Sequence, residues 1–229
     1  DPAFSITLLP VTRVIGWVAV AGILFSSIMA LAQGDLKRML CYLIVTEIGY
    51  IGIGIGAGNR PGLTGSIFHI VNDMFMMGLL FMAVGAIQAH VRTRTISGLT
   101  GLHRRMPVTA AALVVGGLSV IGVPPLCGFF SKWYLILGAI EAGQWFFTGA
   151  LLLGSLLNAI LFFRIFERCY FEAPHDPAHR VREAGVKADR MVMGELVPLV
   201  LMAALVILLG LFSGYIVKYS ITHAIPPGV

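Results

Sequence analysis

The sequence predicts an all-α membrane protein, a bundle of about six transmembrane helices with the fourth broken at Pro124-Pro125. Three observations carry that prediction. First, 58% of the 229 residues are hydrophobic and only 12% are charged, where an ordinary soluble domain carries about 25% charged residues. Second, the mean hydropathy of +0.90 comes from apolar stretches that recur along the whole chain, so the bilayer must be the solvent for most of it. Third, the basic residues collect on alternate loops.

Crossing the hydrocarbon layer takes about 20 helical residues. The stretches 8–32, 39–57 and 63–90 each meet that length with few charges. The stretch 107–140 is too long for one straight span and contains Gly122-Val123-Pro124-Pro125. Proline lacks the backbone donor and clashes with the preceding turn, so the helix is expected to stop there. A break at membrane depth is tolerated only where protein or a watery cavity satisfies the freed backbone groups, which makes it a functional candidate. The stretch 145–166 closes a five-helix unit over residues 1–166. A basic loop follows at 167–192, then a final helix near 193–217 and a tail, making up 193–229.

With six spans, the first, third and fifth loops share one face. Lys37, Arg38, Arg92, Arg94, Arg104, Arg105, Arg164, Arg168, Arg180, Arg182, Lys187 and Arg190 fall on it or at its border. Only Arg13, Arg60 and Lys218 fall on the other face, and Lys132 lies inside a span. Positive charge marks the cytoplasmic side, so both termini are expected on the non-cytoplasmic side. Topology therefore accounts for the net charge of +5, and nucleic acid is not expected as a partner. Asp1-Pro2-Ala3-Phe4 carries neither an initiator Met nor a secretory signal pattern, which is compatible with a mature form, a trimmed one or the second half of a longer protein.

The remaining motifs are weak. Cys41, Cys127 and Cys169 suggest neither a disulfide framework nor a zinc site. His175 and His179 have a spacing compatible with metal ligation, but sit among Pro174 and Pro177 and read as an irregular polar loop. Gly52, Gly54, Gly56 and Gly58 lack the strand that a nucleotide-binding loop requires; they read as small residues that let membrane helices approach. No bis-histidine pair at facing depth suggests a haem, and no cofactor is expected.

Ionisable groups within spans are the informative residues, because each costs about 2.5–3.5 kcal/mol at the bilayer centre and such groups usually line ion or proton pathways. Glu47 lies near the middle of the second span, and His69, Asn72 and Asp73 lie in the third. Spacings of three and four put the last three on one helical face, where His69 and Asp73 can touch. Lys132 follows the Pro-Pro break by one to two turns, and Ser155 and Asn158 form a weaker polar stripe on the fifth span. Each of these is open to a plain structural role between helices. Together, Glu47, Asp73 and Lys132 are side chains able to pass a proton, and they favour movement of protons or small cations over hydrolysis or redox chemistry.

Several segments appear in a familiar order: Asp35-Leu36-Lys37-Arg38, Ile48-Gly49-Tyr50, His69-Ile70-Val71-Asn72 and Gly122-Val123-Pro124-Pro125 through Gly128-Phe129-Phe130-Ser131-Lys132-Trp133. In this the chain resembles the antiporter-like subunits shared by respiratory complex I and the Mrp cation/proton antiporters, most of all the D-type member of the Mrp complex. The likeness runs from about Val11 to Phe171. It implies the second of two inverted five-helix repeats plus the last helix, in a bacterial inner membrane. It also implies roles for Lys132 as the lysine of the broken helix, Lys37 as the lysine heading a helix, and His69 as the first residue of a His-x-x-x-His-x-x-x-Lys face. Two positions depart from that face: its second histidine is Asp73, and its lysine is Met77, whose thioether carries no proton. Glu47 stands where the family has a neutral polar residue or histidine. Either Glu47 and Asp73 replace the lost basic site, or the chain packs without conducting. The expected function is a subunit of a proton-coupled Na+ or other monovalent cation antiporter, working with other membrane subunits. The alternatives are a proton-pumping subunit of a complex I-like or hydrogenase-like oxidoreductase, and a non-conducting structural half-subunit.

Overall fold

The computed structural model describes residues 11–171 and 193–221. The chain folds into α1 (Val11–Ala32), α2 (Leu36–Ala57), α3 (Arg60–His90), the short α4 (Leu102–Arg105), α5 (Pro107–Ile121), α6 (Cys127–Glu141), α7 (Trp145–Tyr170) and α8 (Met193–Leu211). A 3-10 turn at Ile96–Leu99 precedes α4, and two short helical turns, Ser213–Ile216 and Val217–Ile221, follow α8. Among the described residues the sole β-type contact is an isolated bridge between Asp35 and Thr95. The all-α membrane class is borne out: α1, α2, α3, α7 and α8 are each long and apolar enough to cross a membrane. His175 and His179, the rest of the expected loop from 172 onward, and the tail beyond 221 lie outside the described residues.

Helix ends differ from the expected ones for local reasons. α2 starts three residues before the expected 39, because Asp35 caps it by accepting the Lys37 and Arg38 amides at 2.9 and 3.0 Å. Such a cap satisfies donors that the first turn cannot pair internally. Lys37 is therefore an exposed residue of the first helical turn and not of the loop. α3 likewise starts at Arg60, with Asn59 accepting from the Gly62 amide and Pro61 in the first turn. α7 runs four residues beyond 166, as its backbone stays helical after hydropathy falls. The stretch 107–140 is two helices of 15 residues each, α5 and α6. Gly122 ends α5 in the left-handed region at φ 93°, and the Pro124-Pro125 bond is cis.

The ends of the bundle sort the loops as the charge pattern requires. The Leu36 amide donates to the Arg94 carbonyl at 2.8 Å and the Ile96 amide to Gly34 at 2.9 Å. Arg164 Nη1 donates to the Leu31 carbonyl at 3.2 Å, and His103 Nδ1 meets the Cys169 carbonyl at 2.7 Å. The first and third loops and the helix ends beside them, which hold eight of the twelve described Lys and Arg residues, thus share one end. At the other, Asn59 Nδ2 donates to the Gly138 carbonyl at 2.8 Å, joining the α2–α3 turn to the end of α6.

The distribution of polarity is that of a protein dissolved in lipid. Val18, Phe146, Phe163 and Leu201 are exposed, while Glu47, His69, Asn72 and Ser131 are wholly buried. Lipid tails are as apolar as leucine, so helices associate through close packing and hydrogen bonds. The α2 glycines serve that approach: a Cβ on Gly56 would collide with the backbone of Gly16 in α1, and one on Gly54 with Ser66 and Leu135. Gly138 meets the backbone of Gly62 in the same way, closing α6 onto α3. A side chain can turn aside and a backbone cannot. Gly138→Val is therefore expected to lower stability by at least about 1–3 kcal/mol, the usual cost of overpacking. Gly149→Ala in α7, where a Cβ meets open space, should not lower the melting temperature of the assembled protein, since alanine is the better helix former.

Candidate functional site

The break between α5 and α6 organises the site. The last four carbonyls of a helix have no intrahelical donor. At the end of α5 the Gly122 and Val123 amides turn back to Leu118 and Ser119, at 3.0 to 3.1 Å. The Val120 carbonyl instead accepts from the ammonium of Lys132, one to two turns into α6. At the start of α6 the Gly128 amide finds Ser119 Oγ at 3.3 Å, and the Cys127 carbonyl accepts from Asn72 Nδ2 at 2.8 Å. The freed Val120 carbonyl of the break thus draws Lys132 inward, while Asn72 ties α3 to the first turn of α6.

Glu47 is the hub. Its Oε2 lies 3.0 Å from His69 Nε2, and its Oε1 accepts from Asn158 Nδ2 at 3.4 Å. Lys132 Nζ stands 3.9 Å from Oε1, within ion-pair reach but beyond a hydrogen bond. Lys132 Nζ also donates to Ser155 Oγ at 3.3 Å and lies 4.4 Å from the centroid of the Tyr50 ring. The other ring nitrogen of His69, Nδ1, is 2.9 Å from Ser131 Oγ. Five helices meet here: Glu47 and Tyr50 come from α2, His69 from α3, Val120 from α5, Ser131 and Lys132 from α6, and Ser155 and Asn158 from α7.

This arrangement lets His69 carry one proton or two. Ser131 Oγ also lies 3.2 Å from the Gly128 carbonyl and 3.5 Å from that of Cys127. A hydroxyl both donates and accepts. It donates to a bare Nδ1 when neutral His69 carries its hydrogen on Nε2, and accepts from Nδ1–H when the hydrogen is there. When His69 is doubly protonated, it accepts from Nδ1–H and turns its own hydrogen to the Gly128 carbonyl. No heavy atom has to move. The resulting carboxylate–imidazole–hydroxyl row looks like a hydrolytic triad, but Ser131 is completely buried between helices and has no room for a substrate carbonyl.

Of the five pathway residues expected from the sequence, three come together: Glu47, His69 and Lys132. Asp73 sits one turn along α3, but His69 uses its nitrogens on Glu47 and Ser131, so the expected His69–Asp73 contact gives way to a tertiary one. Asp73 Oδ1 is buried with no hydrogen-bond partner among the described residues, and the carboxyl lies within electrostatic reach of Glu47 and Lys132. Lys37 stays at the exposed head of α2, apart from the cluster. Met77, a further turn along α3, belongs to the apolar core. Tyr50 and Ser131 escape a sequence reading as site residues, and Ser155 and Asn158 show there only as a weak stripe. For Tyr50 the available signals are its place in the Ile48-Gly49-Tyr50 segment and its spacing of three residues after Glu47.

An apolar exterior around a buried row of titratable side chains at a break between helices is the architecture of a multi-pass membrane protein. More particularly, the chain belongs to the NADH:quinone oxidoreductase/Mrp antiporter transmembrane family, whose family model matches residues 3–158. It is 41% identical over 222 residues to the N-type subunit of the NADH-quinone oxidoreductase of Desulforudis audaxviator, covering 95% of this chain and 44% of that protein. It is 29% identical over 224 residues to the D-type subunit of the Na(+)/H(+) antiporter of Alkalihalophilus pseudofirmus, covering 98% of this chain and 43% of that one. Among solved structures it superposes on a chain of the Mrp complex from Dietzia sp. DQ12-45-1b with a TM-score of 0.80 and 25% identity, over 94% of this chain and 47% of that one. The chain thus spans less than half the length of these relatives. Both branches of the family are represented, with the higher identity to the N-type protein.

Proposed function

We propose that the chain is a proton-translocating membrane subunit of a multisubunit complex, with Glu47, His69 and Lys132 as the moving centre. The observation that carries this reading is the buried Glu47, held by His69 at 3.0 Å and faced by Lys132 at 3.9 Å. A buried ion pair is a weak source of stability, since desolvation offsets most of its attraction. Charged groups kept within a membrane bundle generally mark a pathway. Lys132 passes a proton from Nζ to Glu47 Oε1, leaving an amine and a carboxylic acid; once the carboxyl turns, the acid gives it to the bare Nε2 of His69 in the tautomer whose Nδ1–H rests on Ser131 Oγ. Protons reach Lys132 from the Pro124-Pro125 break. Asp73 follows as the exit, because its unpartnered buried oxygen is best satisfied by water. Residues 1–166 act as one five-helix repeat followed by the final helix, with the basic end toward the cytoplasm of a bacterial inner membrane.

Two assemblies fit. The 41% identity to an N-type subunit favours a redox-driven complex of the NADH-quinone oxidoreductase type. The D-type antiporter relative and the Mrp superposition support the Na+/H+ antiporter as the second reading. Proteoliposomes bearing the native complex separate them. Acidification driven by NADH and quinone supports the first, and pH change driven by a Na+ gradient alone supports the second. A complex moving protons under neither drive would return the chain to a structural role, which Met77 favours.

Asp73 gives a sharper check within either assembly. Asparagine has the same shape and breaks no protein hydrogen bond at Oδ1, so Asp73→Asn is expected to assemble normally. Proton movement in that variant should drop by about 100-fold or more, the scale for loss of a positioned acid or base. Wild-type transport with Asn at this position would remove Asp73 from the route.

A further inference from the structure

We propose that Tyr50 is a positioning residue for proton transfer: its ring face is the seat on which the protonated Lys132 rests, one helical turn from the acceptor Glu47. The inference rests on the proton-translocation reading above and adds to it a residue and a two-position mechanism.

Four observations support the seat. An ammonium–carboxylate hydrogen bond spans about 2.7–2.9 Å, yet Lys132 Nζ stops 3.9 Å from Glu47 Oε1. Glu47 is already engaged by His69 and Asn158. The ammonium is engaged elsewhere, with the Val120 carbonyl, with Ser155 Oγ, and with the Tyr50 face at 4.4 Å from its centroid. That separation is well within the range of about 6 Å over which a ring quadrupole attracts a cation. Finally, the ring itself is fixed. Tyr50 is wholly buried, stands at 74° to the His69 ring with centroids 5.8 Å apart, and directs its hydroxyl toward Gly154 of α7. A Cβ at Gly154 would lie only 2.6 Å from that oxygen, so a glycine is what admits it.

The chemistry follows from the quadrupole. A ring face attracts the ammonium and has little hold on the neutral amine. The seat therefore selects Lys132 in its charged form at the break, where Val120 and Ser155 take two of its three N–H donors. Tyr50 and Glu47 are three residues apart on α2, so seat and acceptor lie on one helical face. A change in the terminal torsions of Lys132 carries the third N–H across the remaining gap to Oε1. After transfer the amine loses the attraction of the ring until a new proton arrives from the break. Seat and acceptor thus make loading and unloading separate events.

The test is a series at position 50 in the assembled complex, reconstituted in proteoliposomes, with assembly checked for every member. Tyr50→Phe keeps the ring face and sets the reference rate. Phenylalanines carrying one, two and three fluorines keep the shape and progressively weaken the negative face. The proton-transport rate should fall stepwise along the series by about 3- to 30-fold in all, the span of a buried cation–π contact. A merely space-filling ring would give a flat series. A flat series in a complex that loses transport on Lys132→Ala overturns the role of Tyr50 and leaves the pathway standing. Full transport in Lys132→Ala itself overturns the pathway, and the seat with it.

Discussion

Lys132→Ala is expected to end proton movement in the assembled complex while the complex itself survives. The asymmetry of the cluster explains both halves. Glu47 keeps His69 at 3.0 Å and Asn158 at 3.4 Å when the lysine is removed, so the carboxyl is not orphaned. The Val120 carbonyl loses its side-chain donor, but it lies at a break bordered by polar groups. What disappears is the group that collects protons from the break. The loss should reach about 100-fold or more, by analogy with removal of a positioned acid or base. The measurement is internal pH in proteoliposomes under the native driving force, set against a quantified yield of intact complex. Unimpaired transport would place the proton route elsewhere in the assembly.

Glu47→Gln should behave differently, because it strands the cation. Without the carboxylate, Lys132 keeps a carbonyl, a hydroxyl and an aromatic face but loses its nearest counter-charge. Breaking a buried pair from one side costs up to about 3–5 kcal/mol. The single variant is therefore expected to lose stability as well as transport, seen as a lower melting temperature and a lower yield of complex. Adding Lys132→Met removes the stranded charge and replaces it with an apolar chain of similar length. The double variant should regain most of the stability and none of the transport. Recovery of both would mean that the pair is only a structural contact.

Much of this is legible in the chain before any fold is drawn. Gly122 through Pro125 marks the break, since proline cannot continue a helix, and the apolar runs mark the class. Glu47 and Lys132 stand out as charges where lipid forbids them. Their pairing is not legible, because they sit on different helices far apart in the chain, and helical spacing speaks only of neighbours on one helix. That same limit makes Asp73 the natural partner of His69, whereas the break delivers Ser131 to one nitrogen and α2 delivers Glu47 to the other. Asn158 and Ser155 read as a weak stripe because each is cheap to bury. Only their partners, Glu47 and Lys132, give them a place in the site. Lys37 is legible only through the resemblance, which puts it at the head of a helix, since hydropathy starts that helix two residues later; the Asp35 cap explains the difference.

The central claim is that Glu47 takes up and releases a proton between Lys132 and His69. Infrared difference spectroscopy of the reconstituted complex, recorded with and without its driving force, reads that event directly. The account predicts a carboxylic acid carbonyl band that appears on energisation, vanishes in Glu47→Gln and is lost in Lys132→Ala. A difference spectrum in the carboxylic acid region that is unaltered by Glu47→Gln would contradict it.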